Sequence, residues 1–191
     1  MILPEFRGFP KIPRLSRDII ITEKIDGTCG LIFIDENNNI YAGSKNKWLD
    51  DHNDNHGFWH WVMDNKEELL KLGKGYHYGE FWGKEIQRGY NLQEKRFSLF
   101  NVSRWIKDKD IPLKDKQEYC PECCYVVPIL YEGIFDTFQI ENVLTNLKNT
   151  GSYASSSTRF ANPEGIIIYH KSANVYFKKT IENDEKGKDA L

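Results

Sequence analysis

No stretch of this 191-residue chain is apolar for long enough to cross a bilayer. The longest apolar runs, residues 125–131 and 165–169, fall far short of the ~20 residues that a spanning helix needs. The N-terminus carries no cationic segment followed by an apolar core and a cleavage site. A protein of the cytosol, or one made in a host's cytosol, is therefore expected, with no membrane partner. Strong charge of either sign is missing as well, since 26 basic and 28 acidic side chains leave a net charge of −2. Any nucleic-acid contact must come from a local patch. Cysteine is scarce: Cys29 sits in an apolar run, and Cys120, Cys123 and Cys124 crowd around Pro121. That layout is a poor disulfide framework, and a zinc site would need a second Cys-x-x-Cys half that the chain lacks.

What is present is enough apolar material, 40% of residues, for one good core and hence one domain. The run Ile19-Ile20-Ile21-Thr22 signals a strand, Asp26-Gly27 a turn, and residues 29–34 a second strand, so a hairpin is expected with Lys24 at its corner. A lysine at such a corner is a candidate nucleophile, since its neutral amine can attack an electrophile. Residues 6–17, with Pro10 and Pro13, read as an extended entry segment. Residues 40–43 form a third strand ending at Ser44-Lys45. Phe58, Trp61 and Val62, then Leu69, Leu70 and Leu72, recur at helical spacing, giving one or two helices capped by Asp54 or Asn55. Residues 76–82 and 96–103 read as strands joined by a loop that carries Gln87, Arg88 and Tyr90.

Residues 108–122 are charged and irregular, a surface insertion. Residues 125–131 read as one edge strand because of Pro128. A helix is expected over 137–149, with a capping box at Asp136 and Gln139, a buried stripe at Ile140, Val143, Leu144 and Leu147, and Gly151 as its stop. A Ser-rich loop over 152–162 precedes strands at 166–169 and 175–180, and residues from 182 onward read as a disordered tail. His52 and His56 among Asp50, Asp51 and Asp54 read as a solvated polar loop. Trp59, Trp61, Trp82 and Trp105 read as core or cleft-wall aromatics.

Lys24, Lys45, Glu80, Glu164 and Lys178 all fall at strand ends or beside glycines, where strands can converge on one cleft. Amine attack on the α-phosphorus of a nucleoside triphosphate needs such a set: a lysine, cations for the phosphates, a carboxylate for a divalent metal and an aromatic platform for the base. The pattern resembles the covalent nucleotidyltransferase superfamily of polynucleotide ligases and capping enzymes, and is most similar to the nick-sealing RNA ligases of bacteriophages. Lys24-Ile25-Asp26-Gly27, preceded by Glu23, resembles its Lys-x-Asp-Gly nucleophile motif. Ser44-Lys45 resembles a pair that contacts phosphate or RNA, and Gly79-Glu80-Phe81-Trp82-Gly83 one whose glutamate binds ribose. Phe100 matches the residue that stacks on the base, and Glu164-Gly165-Ile166-Ile167 the motif whose glutamate serves metal and phosphate.

The last motif departs from the family. Lys-x-Lys is expected, and the chain reads Phe177-Lys178-Lys179-Thr180; Lys178 aligns best with the first lysine, which leaves Thr180 at the second. Lys179, Lys186 or Lys188 would have to supply the other cation.

The resemblance covers about residues 18–181. It implies an α+β, ATP-grasp-like nucleotidyltransferase domain over residues 1–181, two antiparallel sheets around a nucleotide cleft with outer helices. An insertion near 106–124 and a polar tail over 182–191 complete the expected chain, which leaves no room for an OB-fold domain. The implied activity is that of an ATP-dependent RNA ligase with magnesium or manganese at Glu164, joining a 5′-phosphate to a 3′-hydroxyl on RNA. Sealing would draw on an accessory protein or domain, or on the core and its insertion, in bacterial or phage-infected host cytosol. A DNA ligase, a capping guanylyltransferase and a non-catalytic nucleic-acid-binding relative remain the alternatives.

Overall fold

The computed structural model describes residues 4–155 and 160–185. In chain order the strands are β1 (Asp18–Lys24), β2 (Thr28–Ile34), β3 (Ile40–Gly43), β4 (Gly75–Gly83), β5 (Lys95–Leu99) and β6 (Trp105–Ile106), then β7 (Glu118–Tyr119), β8 (Cys124–Val126), β9 (Ile129–Ile134), β10 (Gly165–His170) and β11 (Val175–Thr180). Helices α1 (Phe58–Asp64) and α2 (Lys66–Leu69), with a 3-10 turn at Leu70–Leu72, separate β3 from β4, and α3 (Thr137–Thr150) separates β9 from β10. None of the described helices is long and apolar enough to cross a membrane.

Two sheets dominate. The first has the order β11-β10-β1-β9 and is antiparallel throughout; the second has the order β3-β2-β4-β5-β8, in which β5 and β8 run parallel. The expectation of two antiparallel sheets thus holds for the first sheet, and for the second only up to its last strand. The hairpin expected at Lys24 does not form. β1 pairs with β10 and β9, β2 with β3 and β4, so the turn Ile25-Asp26-Gly27 carries the chain from one sheet to the other. A second crossing occurs at Val127-Pro128, which splits the expected strand over 125–131 into β8 and β9; Glu23 N–H closes onto the Pro128 carbonyl at 3.0 Å.

Strand alternation builds the core. Ile19, Ile21, Ile166 and Ile168 face Ile140 and Leu147 of α3, while Phe58 of α1 packs with Phe81 and Phe97 behind the second sheet. Ile20, Ile25, Trp82 and Tyr90 fill the space between the sheets. Each such side chain contributes about 1.5–3 kcal/mol by leaving water. The α3 cap is as expected on one side: the Asp136 carboxylate accepts from Phe138 N–H at 2.8 Å. At α1 the cap residue is Gly57, in a left-handed conformation, yet Asp54 still accepts from Trp59 N–H at 2.6 Å. The expected strand over 96–103 stops at Leu99. The insertion is more ordered than its composition suggests, because β6 pairs with β7 and Cys120 and Cys124 are buried.

Candidate active site

β1 ends at Lys24 between two partners, and its register places Lys24 opposite Gly165 at the start of β10. Glu164, one residue earlier, reaches the Lys24 ammonium at 2.6 Å, with side chains only 23% and 19% exposed. Two residues distant in sequence are joined here because β1 and β10 are antiparallel neighbours.

The turn after Lys24 is anchored from both sides. Arg88 Nε lies 3.0 Å from Asp26 Oδ2, and the same guanidinium donates to the Asn162 carbonyl at 3.0 Å. Asp26 N–H donates to the Tyr90 hydroxyl at 2.7 Å, and Gly27 N–H to Glu80 Oε1 at 3.1 Å. Only glycine fits at position 27: a Cβ there would stand 2.5 Å from the Phe81 carbonyl oxygen and 2.7 Å from Trp82 Cβ. The Asp-Gly pair therefore serves the crossing between sheets, where the backbone passes close against β4.

Glu80 lies at the centre of this arrangement. Burial pushes its carboxyl from the ordinary 4.5 up to about 7; Lys24 and the Gly27 N–H oppose the rise, and Glu164 and Asp26 add to it. The group is thus poised between acid and base at neutral pH. Cys29, paired with Glu80 across β2 and β4, shares its face of the sheet. Burial and Glu80 push that thiol up, while the Lys45 charge opposes the shift. Burial also raises the Tyr90 phenol above its ordinary range. Phe100 follows β5, donates its N–H to the Tyr78 carbonyl at 3.0 Å, and by alternation from Ser98, the partner of Glu80, faces the same side, exposed.

Three residues are placed otherwise than expected. Lys178 and Thr180 alternate onto the face of Lys24, whereas Lys179 lies on the opposite face, in ion pairs with Glu141 of α3 at 3.1 Å and with Asp184 at 3.7 Å. Lys179 therefore does not replace the missing lysine, and Lys186 and Lys188 lie outside the described residues. Glu23 turns its carboxylate away from Lys24 and accepts from Tyr153 and Ala154 N–H, both at 2.9 Å, so it pins the loop after α3. Ile25 is core, buried between the sheets.

Arg88, which the sequence places on the loop between two strands, is the clamp on Asp26. Tyr90 drew no role. An arginine and a tyrosine flanking Gly89, one loop beyond the Glu80 strand, were the available signal.

Among the described residues no three metal-binding side chains are grouped. Glu164 still fits a hard cation: its carboxylate is a partly exposed oxygen donor beside Lys24, and Glu80 lies within electrostatic reach.

Fold and site together define an α+β domain that presents a lysine and two glutamates at the junction of two sheets. The chain belongs to the RNA ligase family, whose model matches residues 17–181. Among solved structures, a glutamate-to-alanine variant of Naegleria gruberi RNA ligase with ATP and manganese is similar at 20% identity and a TM-score of 0.61, over 92% of this chain and 53% of that one. A lysine-to-methionine variant of the same ligase with AMP and manganese is similar at 20% identity and a TM-score of 0.59, over 87% of this chain and 50% of that one. At this identity the likeness shows the fold. The chain spans about half the length of these ligases. No curated protein sequence matches it.

Proposed function

We propose that this chain is the adenylyltransferase domain of an ATP-dependent RNA ligase, of the ATP-grasp-like type, with Lys24 as nucleophile. The observation that carries the reading is the fixed placement of Lys24 against Glu164, with the following turn held by Glu80 and Arg88. Lys24 Nζ forms a bond to the α-phosphorus of ATP, the bond to the bridging oxygen of pyrophosphate breaks, and the amine proton passes to solvent. Before attack the ammonium must part from Glu164. A magnesium or manganese ion held by Glu164 and the phosphates would neutralise charge and make the phosphorus more electrophilic. Glu80 receives the ribose hydroxyls, Phe100 stacks on the base, and Lys45 and Lys178 face the phosphates. AMP then moves from Lys24 to a 5′-phosphate on RNA, and a 3′-hydroxyl displaces it to seal the strand.

Incubation with α-labelled ATP and magnesium, then a denaturing gel, tests the first step. Label on the wild-type chain and none on Lys24→Ala is expected; no label, or equal label on both, overturns the reading. GTP in place of ATP, and nicked DNA in place of RNA, separate the capping and DNA-ligase alternatives. One observation favours a non-catalytic nucleic-acid-binding relative: Thr180 holds the cleft-facing position of the second lysine, and Lys179 is tied to α3. RNA binding without labelling would establish that second reading.

A further inference from the structure

The second sheet extends well past the candidate active site on the face that carries Glu80, and that extension is aromatic. Tyr41, Phe33 and Tyr76 stand in register across β3, β2 and β4. Phe33 stacks on Tyr76 at 4.4 Å and on Tyr41 at 5.9 Å, Trp48 leans on both Phe33 and Tyr41 at 6.1 Å, and Tyr78 stacks beside Tyr76 at 6.4 Å. These rings are not core. Tyr41, Trp48, Tyr76 and Tyr78 are 44–58% exposed. Alternation along β4 puts Tyr76, Tyr78 and Glu80 on one face, and Phe100 closes the row beside Tyr78.

We propose that this platform takes the unpaired bases of the RNA end whose terminus enters the active site, so that the substrate class is RNA with single-stranded rather than fully paired ends. The inference rests on the RNA ligase reading above and deepens it. Four features select this occupant. The platform offers exposed aromatic rings, against which any base can stack, with Leu31 in register opposite Tyr78 and Cys29 on the same side of β2. It is continuous with the candidate nucleotide site, ending at Glu80 and Phe100. Lys45 and Lys47 precede Trp48 at its border, where a phosphate backbone would run, while Asp50 and Asp51 just beyond Trp48 and Asp35 and Glu36 at the far end limit the path. The spacing of Tyr76 and Tyr78 exceeds the rise between stacked bases, so each ring takes a base splayed from its neighbour, which a closed duplex does not offer.

The test uses the full chain and a 5′-phosphorylated single-stranded oligoribonucleotide carrying a fluorophore, with affinity read by anisotropy. Tyr76→Ala with Tyr78→Ala, and separately Trp48→Ala, are expected to weaken binding at least about tenfold. Tyr76→Phe with Tyr78→Phe should keep it, because the ring face remains. A blunt RNA duplex should bind weakly to all variants alike, and labelling of the chain by α-labelled ATP should not change. Affinity within about twofold of wild type in the alanine variants, equal loss on blunt duplex, or a change of oligomeric state in sedimentation that accounts for the exposed rings would overturn the proposal. A wild-type chain that binds RNA through the platform yet takes no label would sink the ligase reading alone.

Discussion

Glu80 is the residue whose chemistry depends most on where the fold places it. Its carboxyl is raised from 4.5 to about 7, so the folded state holds a proton that the unfolded state has already released. Stability from this group is therefore full below pH 4.5 and falls as pH rises to about 7. Glu80→Gln, neutral at every pH, should be more stable than wild type at pH 8 by about 2 kcal/mol, and the difference should vanish near pH 4 in denaturant titrations. The same variant should bind ATP more weakly. Equal pH profiles for the two proteins would show that the raised carboxyl is not Glu80. Arg88 holds Asp26 at 3.0 Å, so Arg88→Ala should slow labelling about tenfold with little change in the ATP concentration needed, and Arg88→Lys should restore part of it. A change confined to the ATP requirement would instead place Arg88 against the nucleotide. Glu80 was legible in the sequence as a motif glutamate, but its raised carboxyl and the Arg88 clamp were not, because burial and a contact across 62 residues depend on tertiary packing.

At the level of elements, the crossing turn was legible as a turn but not as a crossing. β-branched runs on either side of Asp26-Gly27 look like a hairpin because neighbouring strands usually pair. What reveals the crossing is Gly27 pressed onto β4, a contact no local pattern encodes. Gly27→Ala should lower stability by about 1–3 kcal/mol in thermal melts and abolish labelling, since the clash is with backbone. An unchanged melt would mean that the turn has room the structure does not show. β11 yields the second prediction. Alternation sets Thr180 toward Lys24 and Lys179 toward Glu141. Thr180→Lys should therefore speed labelling by about fivefold or more, while Lys179→Ala should leave the rate within about twofold, since only a cleft-facing cation meets the phosphates. The reverse outcome would show that β11 shifts register when nucleotide binds. Most strand positions, the α3 helix and its Asp136 cap were readable from periodicity and cap chemistry, whereas the sheet order, the break at Pro128 and the β6-β7 pair were not. The exposed ring row was not, since Tyr41, Trp48 and Tyr76 look like ordinary strand residues until register aligns them.

For the whole molecule, two sheets joined at Gly27 and Pro128 form the frame, and the active-site candidates sit where β1 leaves one sheet for the other. Chain-distant Lys24 and Glu164 meet there, while Glu80 and Arg88 reach the turn that follows. That convergence supports a reaction at Lys24 more than any single motif does. The most direct measurement is the intact mass of the protein after incubation with ATP and magnesium, followed by peptide mapping. A mass increase of one AMP, located on Lys24 and reversed by pyrophosphate, is the predicted result. An unmodified chain, or AMP on any other residue, would contradict the account.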